Sequence, residues 1–197
     1  MSETSHHDTR QGHESIPGAG RLGMFLFLSS LGMLFVASIV GYLVIRFRAE
    51  EWPPAGMPSI PNGLWSSTLV ILGCSWTIHQ AYRRIRQDDA DGCRKMLWYT
   101  FWLGTLFMVL QGVNWFSLIL MEIPATLNLY AFTFYMLTGL HAVHVIGGLI
   151  QLGFVLRSSS RGQYTAEQHS GVEYSVMYWH FLDIVWVILF ALLLIAG

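Results

Sequence analysis

Charge is scarce in this sequence. Asp, Glu, Lys and Arg together make up 12% of its 197 residues, against roughly 25% in an ordinary soluble domain. Nearly all of these charges fall in short segments between long apolar runs, which excludes a soluble globular enzyme. Cysteine is almost absent. Cys74 lies within an apolar run and Cys93 in a basic segment expected to be a loop, so neither a disulfide framework nor metal-ligand spacing is present. There is no excess of positive charge, the formal net charge being −1, and nothing points to a nucleic-acid partner. Residues 1–23 are polar and run through Pro17-Gly-Ala-Gly20, without a basic segment leading to a small-residue cleavage site; no cleavable signal peptide is expected. A phosphate-binding loop and a nucleophile beside a base are both missing, so the chain carries no catalytic machinery of its own.

Hydrocarbon is what the sequence has. Apolar residues make up 53% of it, and a bilayer core about 30 Å thick needs about 20 of them per helix. Five runs qualify: 24–45, 64–82, 97–121, 128–156 and 172–196. The expected fold is an all-α integral membrane protein, a bundle of five transmembrane helices over residues 24–197 preceded by a polar tail at 1–23. The fourth run, at about 1.5 Å per residue, would be roughly 43 Å long and must tilt or project beyond the lipid. Helix breakers fill the gaps: Trp52-Pro-Pro-Ala-Gly-Met-Pro58, Ile60-Pro-Asn-Gly63, Pro124, and the stretch Ser158–Ser160 with Gly162. Trp65, Trp98 and Trp102 near span ends read as interfacial belts. Gly104, Gly112, Gly139, Gly147 and Gly148 read as sites of close helix packing.

Orientation follows from the basic residues flanking the spans. Arg10, Arg21, Arg83, Arg84, Arg86, Arg94, Lys95, Arg157 and Arg161 lie on the side of the N-terminus, and only Arg46 and Arg48 on the other. This asymmetry predicts a cytoplasmic N-terminus and an external C-terminus.

Ionisable groups inside a bilayer are costly, and hence candidates for function. His79 lies near the cytoplasmic end of the second span. His141, His144, Glu173, His180 and Asp183 all fall on the last two spans. At 100° per residue, Glu173, His180 and Asp183 share about 80° of arc, and His141, His144 and Gln151 share a face of the fourth span. His144 and Asp183 come out at similar depths, roughly 18 and 16 Å at about 1.5 Å per residue. A hydrogen-bonded contact between the His144 side and the Asp183–His180 side is therefore expected. Three readings of the histidines stand together: polar glue between helices, anchoring of lipid headgroups or of a neighbouring subunit, and ligation of a metal or haem. Glu173 also suits a helix N-terminus on electrostatic grounds alone. His6, His7 and His13 in the tail read as solvated, with metal binding as the alternative.

The last two spans carry a resemblance. Phe134-Tyr-Met-Leu-Thr-Gly-Leu-His-Ala-Val-His-Val-Ile-Gly-Gly148 resembles the Thr-Gly-x-His-x-x-His-Val-x-x-Gly signature of cytochrome c oxidase subunit III. Glu173, followed by Tyr178-Trp-His-Phe-Leu-Asp-Ile-Val-Trp186, is similar to that family's last helix. The likeness is close in the last two spans and loose in the first three, and the length resembles a short, five-helix bacterial form. Two positions depart from the family pattern: Leu31 follows Ser29-Ser30 where the family has a buried acid, and Asn114 stands three residues after Gln111 where it has Glu.

The resemblance implies an accessory subunit of a haem–copper terminal oxidase in the bacterial cytoplasmic membrane, within a respiratory chain that couples oxygen reduction to proton pumping. It implies no redox cofactor in this chain, haem and copper in partner subunits, bound phospholipid, direct contact with subunit I, and association with subunit II and small subunits. His141, His144, Glu173, Trp179, His180 and Asp183 would form a structural, lipid-binding or interhelical polar cluster. The alternatives are a related protein associated with a nitric oxide reductase, and a stand-alone membrane protein holding haem b between His141 or His144 and His180.

Overall fold

The computed structural model describes residues 19–54 and 63–196. Among them are five α-helices and no strand: α1 (Ala19–Arg48), α2 (Gly63–Arg86), α3 (Ala90–Leu120), α4 (Leu129–Ser160) and α5 (Ser170–Ala196). Each matches one of the expected apolar runs, α3 stopping one residue before the end of its run and α4 starting one residue after the beginning of its own. Most continue past it, because a helix has no reason to stop where its side chains turn polar; it stops where its end groups find partners. Most of the tail, with His6, His7 and His13, and residues 55–62 of the Pro-rich segment lie outside the described residues.

Three helices end the same way. After α2, α3 and α4 the chain turns through a left-handed residue, Asp88 (φ 60°), Glu122 (φ 61°) and Gly162 (φ 68°). In each case the amides of that residue and of the one after it bond back to the last-turn carbonyls, as Gly162 N–H does to Ser159 O and Gln163 N–H to Ser158 O. Gly162 takes this conformation without the Cβ penalty that Asp88 and Glu122 bear. Ser158–Ser160, expected to open the link to the last span, are instead the final residues of α4; the stop signal is Gly162, and serines alone do not end a helix with tertiary support.

Restarts are capped. Asn128 accepts from Ala131 N–H at 2.8 Å to begin α4, and Asp89 accepts from Gly92 N–H at 2.8 Å to begin α3. Asp89 starts the helix early enough to enclose Cys93, which is fully buried within α3 rather than lying in a loop. The Gly92 N–H, and then the Arg84 guanidinium 3.0 Å away, hold the Asp89 carboxyl below its ordinary range. A depressed carboxyl stabilises the fold above the unfolded value of about 3.9 and ceases to do so as pH falls through the folded one. Asp89→Ala should therefore raise amide exchange at Gly92 and Cys93 several-fold, after correction for intrinsic rates. The native protein should lose the same protection only in acid, below about pH 4.

Helices α2, α3, α4 and α5 form a ring in which each touches the next, and α1 lies in the groove between α4 and α5. The core is apolar and shared by all four ring helices, with Ile71, Ile78, Leu97, Phe107, Val145, Leu152, Trp179, Leu182 and Trp186 inside it. The outer faces are equally apolar: Met33, Leu69, Trp102, Phe116, Phe154 and Ile195 are all exposed. Apolar side chains inside and out are the mark of a chain solvated by lipid. Four helices, α1, α3, α4 and α5, are long and apolar enough to cross a membrane. The fifth, α2, ends in Arg83, Arg84 and Arg86 and carries Ser67, Thr68, Ser75 and Thr77, which lower its hydropathy. Its buried Ser67 and Thr77 face α3, where Thr77 Oγ1 meets Thr100 Oγ1 at 2.9 Å.

Of the five glycines expected to permit close packing, two do so. A Cβ on Gly104 would lie 2.6 Å from the Trp179 ring, and one on Gly148 would lie 2.9 Å from the Tyr178 ring. Gly147 is in ordinary contact, and Gly112 and Gly139 face open space. Spacing along a helix does not reveal which of its faces meets a neighbour.

Candidate functional site

The polar residues of α4 and α5 separate into three groups instead of one. His144 and Asp183 do not meet. His144 Nδ1 bonds to its own helix at Leu140 O, 2.7 Å away, and the ring packs against Phe35 of α1 at 5.1 Å between centroids. Asp183 faces α2, where Ser75 and Cys74 are its neighbours. The expectation of a His144–Asp183 contact fails because α5 touches α1, α2 and α4 at once. Sharing a face and a depth does not choose among three neighbours. What joins α4 to α5 is other chemistry: Tyr178 Oη donates to His144 O at 2.8 Å, and Gln151 Nε2 donates to Ser175 Oγ at 2.8 Å.

His141 forms the first group. It is fully buried, neither ring nitrogen has a hydrogen-bond partner, and its ring sits among Trp186 at 5.0 Å, Phe107 at 5.7 Å and Phe35 at 6.3 Å. Trp186 extends the group to α2 by donating Nε1–H to Thr68 Oγ1 at 3.0 Å. Four ring helices thus converge on one aromatic knot. Trp179, also fully buried, lies about two turns from Trp186 along α5, against Gly104.

The second group lies along the α2–α5 seam. His180 Nδ1 is 2.7 Å from Ser75 Oγ, and its ring is 5.8 Å from that of His79. Asp183, 4% exposed, completes the line, with neither carboxylate oxygen hydrogen-bonded. The third group is a surface ion pair: Arg21 at the start of α1 binds Glu173 in the first turn of α5, Nε donating to Oε1 at 2.6 Å and Nη2 to the same oxygen.

These placements bear on the haem reading. His141 is ringed by Phe35 of α1, Phe107 of α3 and Trp186 of α5, whereas His180 turns towards α2, so the two do not face one space between α4 and α5. Among the described residues no three His, Cys, Asp or Glu side chains cluster as metal ligands would. The arrangement can hold helices together and exchange protons, the Ser75 hydroxyl and the His180 imidazole being already paired.

The sequence profile described as Cytochrome c oxidase subunit III matches residues 4–197. This chain belongs to the cytochrome c oxidase subunit III family. It is 36% identical to the cytochrome c oxidase subunit 3 of Thermostichus vulcanus over 181 residues, covering 88% of this chain and 86% of that one. It is likewise 36% identical to the protein of that name from Synechocystis sp. (strain ATCC 27184 / PCC 6803 / Kazusa) over 183 residues, 92% of this chain and 77% of that one. The probable cytochrome c oxidase subunit 3 of Nocardia farcinica (strain IFM 10152) shares 31% over 176 residues, 89% of this chain and 87% of that one.

As a subunit III, the chain is an accessory subunit of a haem–copper oxidase and part of respiratory electron transport. It works in a complex with other oxidase subunits and is a multi-pass membrane protein. The nitric oxide reductase alternative is not favoured.

Where this subunit III departs from the family's buried acids, uncharged groups fill the places. Leu31 packs against the core. Asn114 is buried, its Nδ2 lying 3.4 Å from both Ser67 Oγ and Gln111 Oε1. Reading the sequence alone missed Ser75, Thr68 and the Tyr178 hydroxyl as members of these networks. A pairing of His79 and Ser75, four residues apart on one face of α2, with the histidine of α5 was the available signal.

Proposed function

We propose that this subunit III crosses the bacterial cytoplasmic membrane five times, with residues 1–23 in the cytoplasm and the C-terminus outside. It packs directly on subunit I, which with subunit II holds the haem and copper. Its role is to keep that catalytic core assembled and durable during turnover and to retain phospholipid at its flank. His141, His144, Trp179 and Asp183 serve this role by packing at helix seams, and Glu173 and His180 by polar bonds between helices. The supporting observation is that all six sit at helix–helix seams or pair helix ends.

The test is deletion of the subunit from the native membrane, followed by purification of the oxidase and measurement of its activity over many turnovers. The expected result is a core that starts with near-normal activity and inactivates faster than the intact complex. Unchanged assembly and unchanged lifetime under sustained turnover would refute the proposal.

A further inference from the structure

We propose that the α2–α5 seam is a proton-binding site fed from one side of the membrane, with Asp183 as the group that holds the proton and His79, His180 and Ser75 as the path to it. The four residues descend in order. Counted at about 1.5 Å per residue from the Arg86 end of α2, His79 lies roughly 10 Å in and Ser75 roughly 16 Å. Counted from the Ser170 end of α5, His180 lies roughly 15 Å in and Asp183 roughly 20 Å. At the shallow end His79 is exposed and lines a cleft of about 380 Å³ with Tyr82, Arg83, Arg86 and Gln87. At the deep end Asp183 is buried beside Ser75, with neither carboxylate oxygen within hydrogen-bond distance of a donor.

An unpaired carboxylate in such a place is expensive, whereas the carboxylic acid is tolerated. Among the described residues no ion pair reaches Asp183. From α2 the facing groups are Cys74 and Ser75, and along α5 the neighbour is His180. Thr100 of α3, uncharged, engages Cys74 through its carbonyl. On α4, His141 and His144 turn to Phe107, Trp186 and Phe35. Helix α1 carries no charged residue between Arg21 and Arg46.

The exchange is balanced without any other reactant. Water in the cleft gives a proton to an imidazole nitrogen of His79, and the imidazoles and the Ser75 hydroxyl pass a proton inward. The Asp183 carboxylate becomes the acid and the cleft water is left as hydroxide; the reverse sequence returns a proton to that hydroxide. His180 and Ser75 suit this because each both donates and accepts, and they are already 2.7 Å apart.

The test is infrared difference spectroscopy on the purified oxidase complex as it moves from H2O to D2O. The acid carbonyl band lost in Asp183→Asn identifies the site, and its isotope shift reports how fast the proton exchanges. Exchange should be slower by at least about tenfold in Ser75→Ala and His180→Asn, since a positioned proton-transfer group contributes roughly 10²–10⁴-fold. His79→Asn, at an exposed position that leaves the fold intact, should slow it in the same direction. The proposal is overturned if Asp183→Asn removes no acid band, or if the band exchanges at the native rate in all three path variants. Neither result would touch the assignment as an accessory subunit, which is read from assembly and lifetime.

Discussion

Trp186→Ala is expected to destabilise the bundle by about 3 kcal/mol, the lower end of the range of roughly 3–5 kcal/mol for truncating a buried aromatic. The lower end applies because helices in lipid gain little from hiding hydrocarbon; what Trp186 supplies is packing and one hydrogen bond. Its ring is almost fully buried, 4.9 Å from Phe107 and 5.0 Å from His141, with Nε1 bonded to Thr68. Truncation therefore opens a void where α2, α3, α4 and α5 meet, and leaves His141 with fewer neighbours and Thr68 without its donor. The measurement is the temperature at which the subunit leaves the purified oxidase. Trp186→Phe should lower it less, because a ring still fills most of the space. Retention of Trp186→Ala at the native temperature would mean that the knot contributes nothing to holding the four helices.

The second large effect comes from adding volume. Gly104→Val should cost about 1–3 kcal/mol, the usual range for overpacking. Its first carbon would lie 2.6 Å from Trp179 Cη2 and 3.0 Å from Leu149 Cδ2. Trp179 is fully buried and its ring has no room to swing aside, so relief requires α3 to move away from α5. Gly112→Val on the same helix meets open space and serves as the control, with little change expected. Equal stability of the two variants, in the same release assay, would show that α3 does not rest on Trp179.

The two cases show where reading along the chain stops. Gly104 and Gly112 have the same local sequence meaning, a small residue in an apolar helix, and only the position of Trp179 separates them. The polar residues behave likewise. His141, His144, His180 and Asp183 were legible as unusual because a bilayer makes such groups costly, and their depths followed from helix rise. Their partners were not legible. Asp183 and His144 share a depth, yet one faces Ser75 and the other bonds within its own helix.

Helix ends were legible only in part. Gly162 signals a stop by itself, since glycine takes positive φ freely. Asp88 and Glu122 take the same conformation at a cost, offset by the capped turns that their neighbours complete: Asp89 begins α3, and Ile123 tucks beside Leu118 in the core. Nothing in the identity of an aspartate or glutamate announces such a turn.

The sequence by itself determined that this chain is helical, that it is solvated by lipid, where its apolar runs lie, and which family it resembles. Those properties depend on composition, run length and short motifs, all of which are local along the chain. The tertiary structure alone decided which helices touch, that α5 is shared among α1, α2 and α4, and that the polar residues form three separate groups. The physical reason is that an apolar helix in lipid has no distinct inner and outer face by hydrophobicity. Its neighbours are chosen by the fit of rings, small residues and single hydrogen bonds, and these exist only once the helices are side by side.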